Sequence, residues 1–551
     1  MLKKSISLLL VFLLTFALAA CGADETKDTS EINGAVSNTE SIIPDDVADA
    51  TSTEEGKKDG KTESTASTAN GESKQSSTSS NSATASKNSV SINVGSGSKY
   101  NNNKTSSKSG TTSTVKVNQS TKKNITAAYK NIKVKSGKSV TEGLNFGGKT
   151  FTMAITEEGP YQTQSIKRCI AAFEKKYNCK ITTKQLKFST YNQQVSQALA
   201  GNKPYDICYA HGSMFPACAV DSLYNDLSDY ITTSDLMNDD DPTAGGIDLA
   251  KTSYFYYNGK IVGTCNYSSC FPNVIYYNKA KLADAGYSGS KDPRKLAESG
   301  KWTWNTILSM GKKLTVASDG VYFLASSFCG RTIMLSYGAP IVTVNNGVYK
   351  ENVTSAGYVS GLNLIRRMFV GNNAIAMPRG TQIAYSSYEG LLKGKVYMWT
   401  EETSKYLDLS KAVKTSSAFG RSKDNIGITS VPLGDTNKDK LYPTGWLTAV
   451  CSGRGSDPRV AIAWEVFRSS YDDPVIDSNA MSAEDQEWTD NMIKGGICCE
   501  VGQFANSSTS TIDLTQNDII PKICDGADVS ASVTSIKDQM TACIKFTLNK
   551  K

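Results

Sequence analysis

Four features of this sequence have the residue types or spacing for chemistry: a lone histidine, His211, thirteen cysteines, two pairs of adjacent acids and one phosphate-loop pattern. His211 is the only possible imidazole base, and no GxSxG motif supplies a serine for it to activate. One histidine cannot make a histidine-rich metal site, and the adjacent Cys498 and Cys499 have the wrong spacing for structural zinc. There is no CxxC pair, so no metal and no cofactor are expected. The pattern GxxxxGK[ST] is met by Gly143, Gly148, Lys149 and Thr150. A working phosphate loop follows a buried strand and opens a helix, whereas here a polar linker precedes the motif and the alternating, strand-like Phe151 to Ile155 follows it. Nucleotide binding is therefore rejected. The acid pairs Glu157/Glu158 and Glu401/Glu402 could serve a two-carboxylate glycosidase, which needs no histidine. That is the enzymatic rival to a pure binding function. Nothing beyond the paired acids supports it, so the expectation is no enzyme.

The elements around these residues begin with a leader. Lys3 and Lys4 precede an apolar run from Leu8 to Leu18, too short to span a bilayer well and ending in Ala19 and Ala20. The junction LAAC resembles a bacterial lipobox, which implies lipidation of Cys21 and an anchored chain. Gly22 to Lys149 is rich in Ser, Thr, Asn, Gly and Lys, with no aromatic residue between Phe16 and Tyr100, and is expected to be a disordered tether. Its charge is segregated, with a net −9 over residues 22 to 72 and +12 over residues 73 to 149. A coil of that length spans about 60 Å, enough to cross part of a cell wall. The whole chain of 551 residues carries only +7, a mild excess that gives no reason to expect nucleic-acid binding.

Beyond the tether, strand and helix signals alternate. Lys149 to Thr156 reads as a strand, and Ile166, Ile170, Phe173 and Tyr177 fall on one helical stripe. A strand at Lys180 to Leu186, a helix at Tyr191 to Leu199 and a buried strand at Asp206 to Tyr209 complete a βαβαβ opening, the signature of a parallel α/β sheet. Further helices are predicted at Trp304 to Leu314, Tyr358 to Phe369 and Pro458 to Phe467, the last with Asp457 as its cap. A final helix carries Val529, Val533, Ile536, Met540 and Ile544 on one face. About 400 residues in this style exceed one core, so two lobes are expected. The twelve cysteines after Cys21 could form disulfides or remain free thiols.

These segments together carry a resemblance. FEKKYNCKI, KPYDICYAH at Lys203 to His211, YNGKIVG at Tyr257 to Gly263 and VIYYNKAKLADAG at Val274 to Gly286 resemble extracellular solute-binding proteins of family 1. The likeness continues in order through Trp302 to Leu314, LLKGKVYMW at Leu391 to Trp399, IGITSVPLG at Ile426 to Gly434 and YPTGWLTAV at Tyr442 to Val450. It implies a periplasmic-binding-protein type II fold, two α/β lobes with ligand in the cleft. The implied first lobe is about 150–267 with 445–495, and the second about 268–444 with 496–551. Chain crossings near Asn266 to Phe271 and Pro443 to Leu447 would be hinges. The implied function is that of a lipid-anchored, monomeric carbohydrate receptor on the outer face of the cytoplasmic membrane, delivering its ligand to the permease of an ABC importer. The same fold would also serve a glycan sensor or adhesin.

In open α/β sheets ligands sit beyond the carboxyl ends of strands, which nominates Glu158, Tyr161, Tyr209 and His211. A sugar presents an apolar face and a rim of hydroxyls, so it calls for aromatic platforms and planar polar groups. Tyr209, Trp399 and Trp446 are the expected platforms, and Glu158, Asn266 and Glu401 the expected rim contacts. Trp302 and Trp304 are expected to be core. Gly212 and Ser213 stand where the maltose-binding relatives carry a charged pair, which points to an oligosaccharide other than maltodextrin.

Overall fold

The computed structural model describes residues 132–549 apart from 157–163, 239–243, 326–329, 346, 379–387 and 474–477. The leader, Cys21, most of the tether, and Glu158 and Tyr161 lie outside the described residues.

The first lobe is built on a four-stranded sheet in the order Thr448–Cys451, Ile207–His211, Thr150–Thr156, Lys180–Leu186. The last three are parallel, and Thr448–Cys451 runs antiparallel on the edge beside Ile207–His211. Alternation along the strands divides the lobe into two packed layers. Met153, Ile155, Ile207 and Tyr209 turn to one face, where they meet Phe173 of helix Gln164–Tyr177 and Trp464 of helix Pro458–Ser469. Ala154, Cys208 and Ala210 belong to the other face, with Tyr191 and Val195 of helix Tyr191–Ala200. Phe173 meets Trp464 edge to face at 5.3 Å. Helix Pro458–Ser469 begins as its sequence predicts: Asp457 accepts the Arg459 N–H at 3.0 Å, and Pro458 takes the first turn.

The second sheet has the order Ile426–Ser430, Asn273–Asn278, Val396–Glu402, Tyr322–Leu324. Asn273–Asn278 is antiparallel to both neighbours, while Tyr322–Leu324 runs parallel to Val396–Glu402. Helices Trp304–Leu314 and Ala356–Phe369 belong to this lobe, each burying one stripe. Trp302 and Trp304 are interior, and the Trp302 indole donates to the Ser430 carbonyl at 2.9 Å.

The chain crosses between the lobes in short paired segments. Thr264 bridges Val450 and Pro272 bridges Thr444, both antiparallel. A further crossing follows Ile497–Cys498, which pairs with Tyr442–Pro443, before the Gln503 N–H donates to the Phe215 carbonyl of the first lobe at 3.0 Å. Arg468, in a buried pair with Glu465, also donates to Ser269 at 3.3 Å. Lys251, buried with Asp248, donates to the Tyr267 carbonyl at 3.0 Å.

Two boundaries differ from the sequence reading. Residues from Ile132 onward are already packed on the first lobe: Ile132, Val134 and Val140 join one apolar cluster, Leu144 and Phe146 another, and Lys135 bridges Thr232. Isolated apolar residues in a polar stretch gave no periodic signal, so the composition masked them. Helix Ala483–Gly495 packs mainly with the second lobe, although its Asp490 carbonyl accepts from the Tyr267 hydroxyl at 2.9 Å. Its Asp485 is ion-paired with buried Arg294, and its Met492 and Trp488 join the cluster of Val274 and Trp399.

The eleven described cysteines are all buried. Among the described residues no helix is long and apolar enough to cross a membrane, and no group of three or more His, Cys, Asp or Glu residues could hold a metal ion.

Candidate functional site

The strands of both sheets end toward one region. In the first lobe, Ile207–His211 stops at His211, where the antiparallel partner strand begins at Thr448, bringing the preceding Trp446 and Leu447 to the same edge. Gly212 follows, with its N–H donated to the Leu447 carbonyl at 2.8 Å. A Cβ at Gly212 would lie 3.1 Å from Trp446 Cε3, so a side chain there would press the indole back by a few tenths of an ångström. His211 contacts the Trp446 ring at 5.6 Å and the Phe188 ring at 5.1 Å. Its Nδ1 accepts from the Ser213 N–H at 3.3 Å and lies 2.7 Å from Ser213 Oγ. That assignment leaves the ring proton on Nε2. Burial, reinforced by the nearby Arg331, pulls the imidazole down to about 3, so it is neutral at physiological pH.

In the second lobe, strand Val396–Glu402 ends in the two adjacent acids, and Arg331 opens the short helix Arg331–Ser336 after the end of Tyr322–Leu324. The Glu402 carboxylate lies directly against Gly445 of a crossing segment, where any Cβ would collide with it. Its Oε2 accepts from Ser404 Oγ at 3.4 Å. Glu401 Oε1 accepts the Glu402 N–H at 3.1 Å. Glu500, 3% exposed, accepts the Ile341 N–H on Oε2 at 2.8 Å.

Arg331 ties these parts together. Its guanidinium carbon stands 4.7 Å from the Trp446 ring centroid, a cation–π contact joining the second lobe to a crossing segment. Glu500, Glu402 and Glu401 all act on it electrostatically, yet among the described residues none forms an ion pair with it. Arg331 Nε and Nη1 and Glu500 Oε1 are buried with no hydrogen-bond partner. Burial raises both Glu402 and Glu500 to about 7, with Glu401 adding to the shift at Glu402. Glu401 is raised as well, again by burial first. Donors and acceptors held apart in a desolvated space can be satisfied by a guest that offers both, as a polyhydroxylated molecule does.

The structure thus brings together His211, Trp446 and Glu401 from the sequence candidates. It places three others differently. Tyr209 is 1% exposed inside the first-lobe core, and its hydroxyl accepts from the Trp464 indole at 2.6 Å. Trp399 is 1% exposed and stacked on Tyr276 at 5.3 Å, a cross-strand pair inside the second sheet's core, so it offers no platform. Both stand two residues before the site residues of their strands, where packed side chains cover them. Asn266 is fully buried in a crossing segment, where Oδ1 accepts from Ser268 at 3.0 Å and from Ser269 at 3.3 Å. Its Nδ2 has no partner. Glu158 and Tyr161 lie outside the described residues. Arg331 and Glu500 were missed. Arg331 opens a helix of six residues that gives almost no periodic signal, and Glu500 lies where no sequence likeness extends.

Comparison with known proteins adds the following. The chain matches the family described as bacterial extracellular solute-binding protein over residues 159–465. No curated protein matches it in sequence. Among solved structures, it is similar to an ABC substrate-binding protein of Listeria monocytogenes in complex with cycloalternan, at 15% identity and TM-score 0.50, over 72% of this chain and 100% of that one. The galacto-N-biose/lacto-N-biose I-binding protein of a Bifidobacterium longum ABC transporter gives 13% identity and TM-score 0.51, over 73% and 98%. An extracellular solute-binding protein of Staphylococcus aureus in complex with maltose gives 13% and 0.51, over 72% and 98%. At these identities the likeness establishes the two-lobed type II binding-protein fold.

Proposed function

From a chain that belongs to the bacterial extracellular solute-binding proteins, we propose a lipid-anchored receptor that captures a carbohydrate between its lobes and hands it to the permease of an ABC importer. The observation that carries the carbohydrate reading is the set of buried, unpartnered polar atoms of Arg331 and Glu500 beside Trp446, where the lobes meet. A sugar hydroxyl both donates and accepts, so one ring can satisfy a guanidinium and a carboxylate together. Groups from the second lobe (Arg331, Glu401, Glu402), the first (His211) and the crossing segments (Trp446) then act on one guest. Binding that engages both lobes favours their closed arrangement, which is the form a permease would recognise. Solved relatives that bind cycloalternan, lacto-N-biose and maltose support a saccharide guest.

The test is thermal unfolding of the full chain against oligosaccharides, amino acids, peptides and polyamines, with product analysis of each hit. A ligand at 100 times its dissociation constant stabilises by about 2.7 kcal/mol, which is readily seen. A sugar hit recovered intact is the expected result. A cleaved sugar would move the protein to the two-carboxylate glycosidase reading, and hits confined to non-sugars would refute the carbohydrate assignment.

A further inference from the structure

We propose that the guest of this site is a sugar bearing a free amine, seated among Glu401, Glu402 and Glu500 beside Trp446. The inference rests on the carbohydrate reading above and narrows it. The first argument is charge. Three carboxylates converge on Arg331, Lys405 is the further cation acting on Glu401 and Glu402, and His211 is held neutral. Fully ionised, the three carboxylates outnumber the two cations that act on them, an excess that an acidic sugar would worsen and a cation would offset.

The second argument is geometric. Glu500 Oε1 is an acceptor at 3% exposure with nothing to accept from. Leaving an acceptor unsatisfied at that depth is costly, and Arg331, which acts on Glu500 electrostatically, is engaged over the Trp446 ring instead. A positive group thus already rests on that indole within the field of the carboxylates. An ammonium brings three donors on one small centre and makes charge-assisted bonds to carboxylates. The hydroxyls of the same sugar supply acceptors for Arg331 Nε and Nη1. Burial, joined at Glu402 by the neighbouring Glu401, raises Glu402 and Glu500 toward neutrality, and a bound cation would restore their charge.

Titration calorimetry of the full chain tests this with sugars from monomer to tetramer, each present in three matched forms: hydroxyl, free amine and N-acetylated amine at the same carbon. Expected is at least about tenfold tighter binding of an amine member than of both its neutral counterparts, the factor one charge-assisted hydrogen bond gives. That preference should collapse in Glu500→Gln and in Glu402→Gln, with circular dichroism confirming that each variant is folded. Neutral members binding as tightly as the amine, or tighter, would overturn the inference and leave the carbohydrate receptor standing. Binding of spermidine with no sugar bound, or no binding at all across the set, would overturn both.

Discussion

Glu402 and Gly445 are coupled by sterics as well as by charge. The carboxylate occupies the volume that any side chain at position 445 would need, in a segment that joins the lobes. Because the blocking atom is the far end of a flexible side chain, Gly445→Ala is expected to displace the carboxylate at a cost of about 1 kcal/mol, and Gly445→Ala combined with Glu402→Ala to recover most of it. Urea unfolding of the single and double variants checks this, and additive losses would show that the two positions do not share the space. The same carboxylates shape the response to pH. Glu402 and Glu500 titrate near 7 when folded, above their unfolded value, so the folded state holds protons that the unfolded state has released. Their contribution is fully present below the unfolded value and is lost as pH rises through about 7. His211 works in the opposite sense, because its folded value of about 3 is depressed, so its contribution is lost as pH falls from about 6.5 toward 3. Unliganded Glu402→Gln and Glu500→Gln chains should each lose less stability than the parent between pH 5.5 and 8, by of order 1 kcal/mol. An unchanged slope in chemical denaturation would mean that these carboxyls are not the titrating groups.

The strands that hold the site also explain how far the sequence could be read. Sequence patterns located the Lys180–Leu186 strand and the Trp304–Leu314 helix end for end, the helix because it buries one clean face. The same patterns could not say how far along a strand the covering elements reach, and this misplaced the aromatics. Tyr209 and Trp399 share strand faces with His211 and Glu401 but stand two residues before them, where packed side chains cover both. Trp399→Ala should therefore cost about 3 to 5 kcal/mol of folding stability, a core loss, to be read by chemical denaturation. A loss of ligand affinity with stability intact would return Trp399 to the site. Glu500 and its crossing segment escaped detection because contact between residues 341 and 500 is a tertiary fact with no local periodicity. Arg331 was obscured for a different reason, since a short helix of six residues gives almost no repeating signal.

Across the molecule, apolar packing runs from the first lobe through the crossing segments into the second: Leu186, Phe255, Cys265, Leu447, Cys499, Phe504 and Phe323 belong to one cluster. The segment from Ile132 to Phe146 adds to the first lobe's packing. A chain beginning at Thr150 is accordingly expected to be about 3 kcal/mol less stable than one beginning at Ile132, chiefly from the loss of Phe146 and the apolar residues before it. Equal denaturation midpoints would show that the segment only rests on the lobe. The buried cysteines extend this picture from structure to lifetime. A thiol sealed in the core, with burial raising it as at Cys169, cannot present the thiolate that oxidants attack. Folding is then the protection, and every opening is an exposure: eleven thiols released at once into an oxidising medium have many wrong ways to pair. In an oxidising medium each opening of the fold would set refolding against thiol oxidation, and an excursion that ends in a mispaired disulfide would not return to the native state unaided.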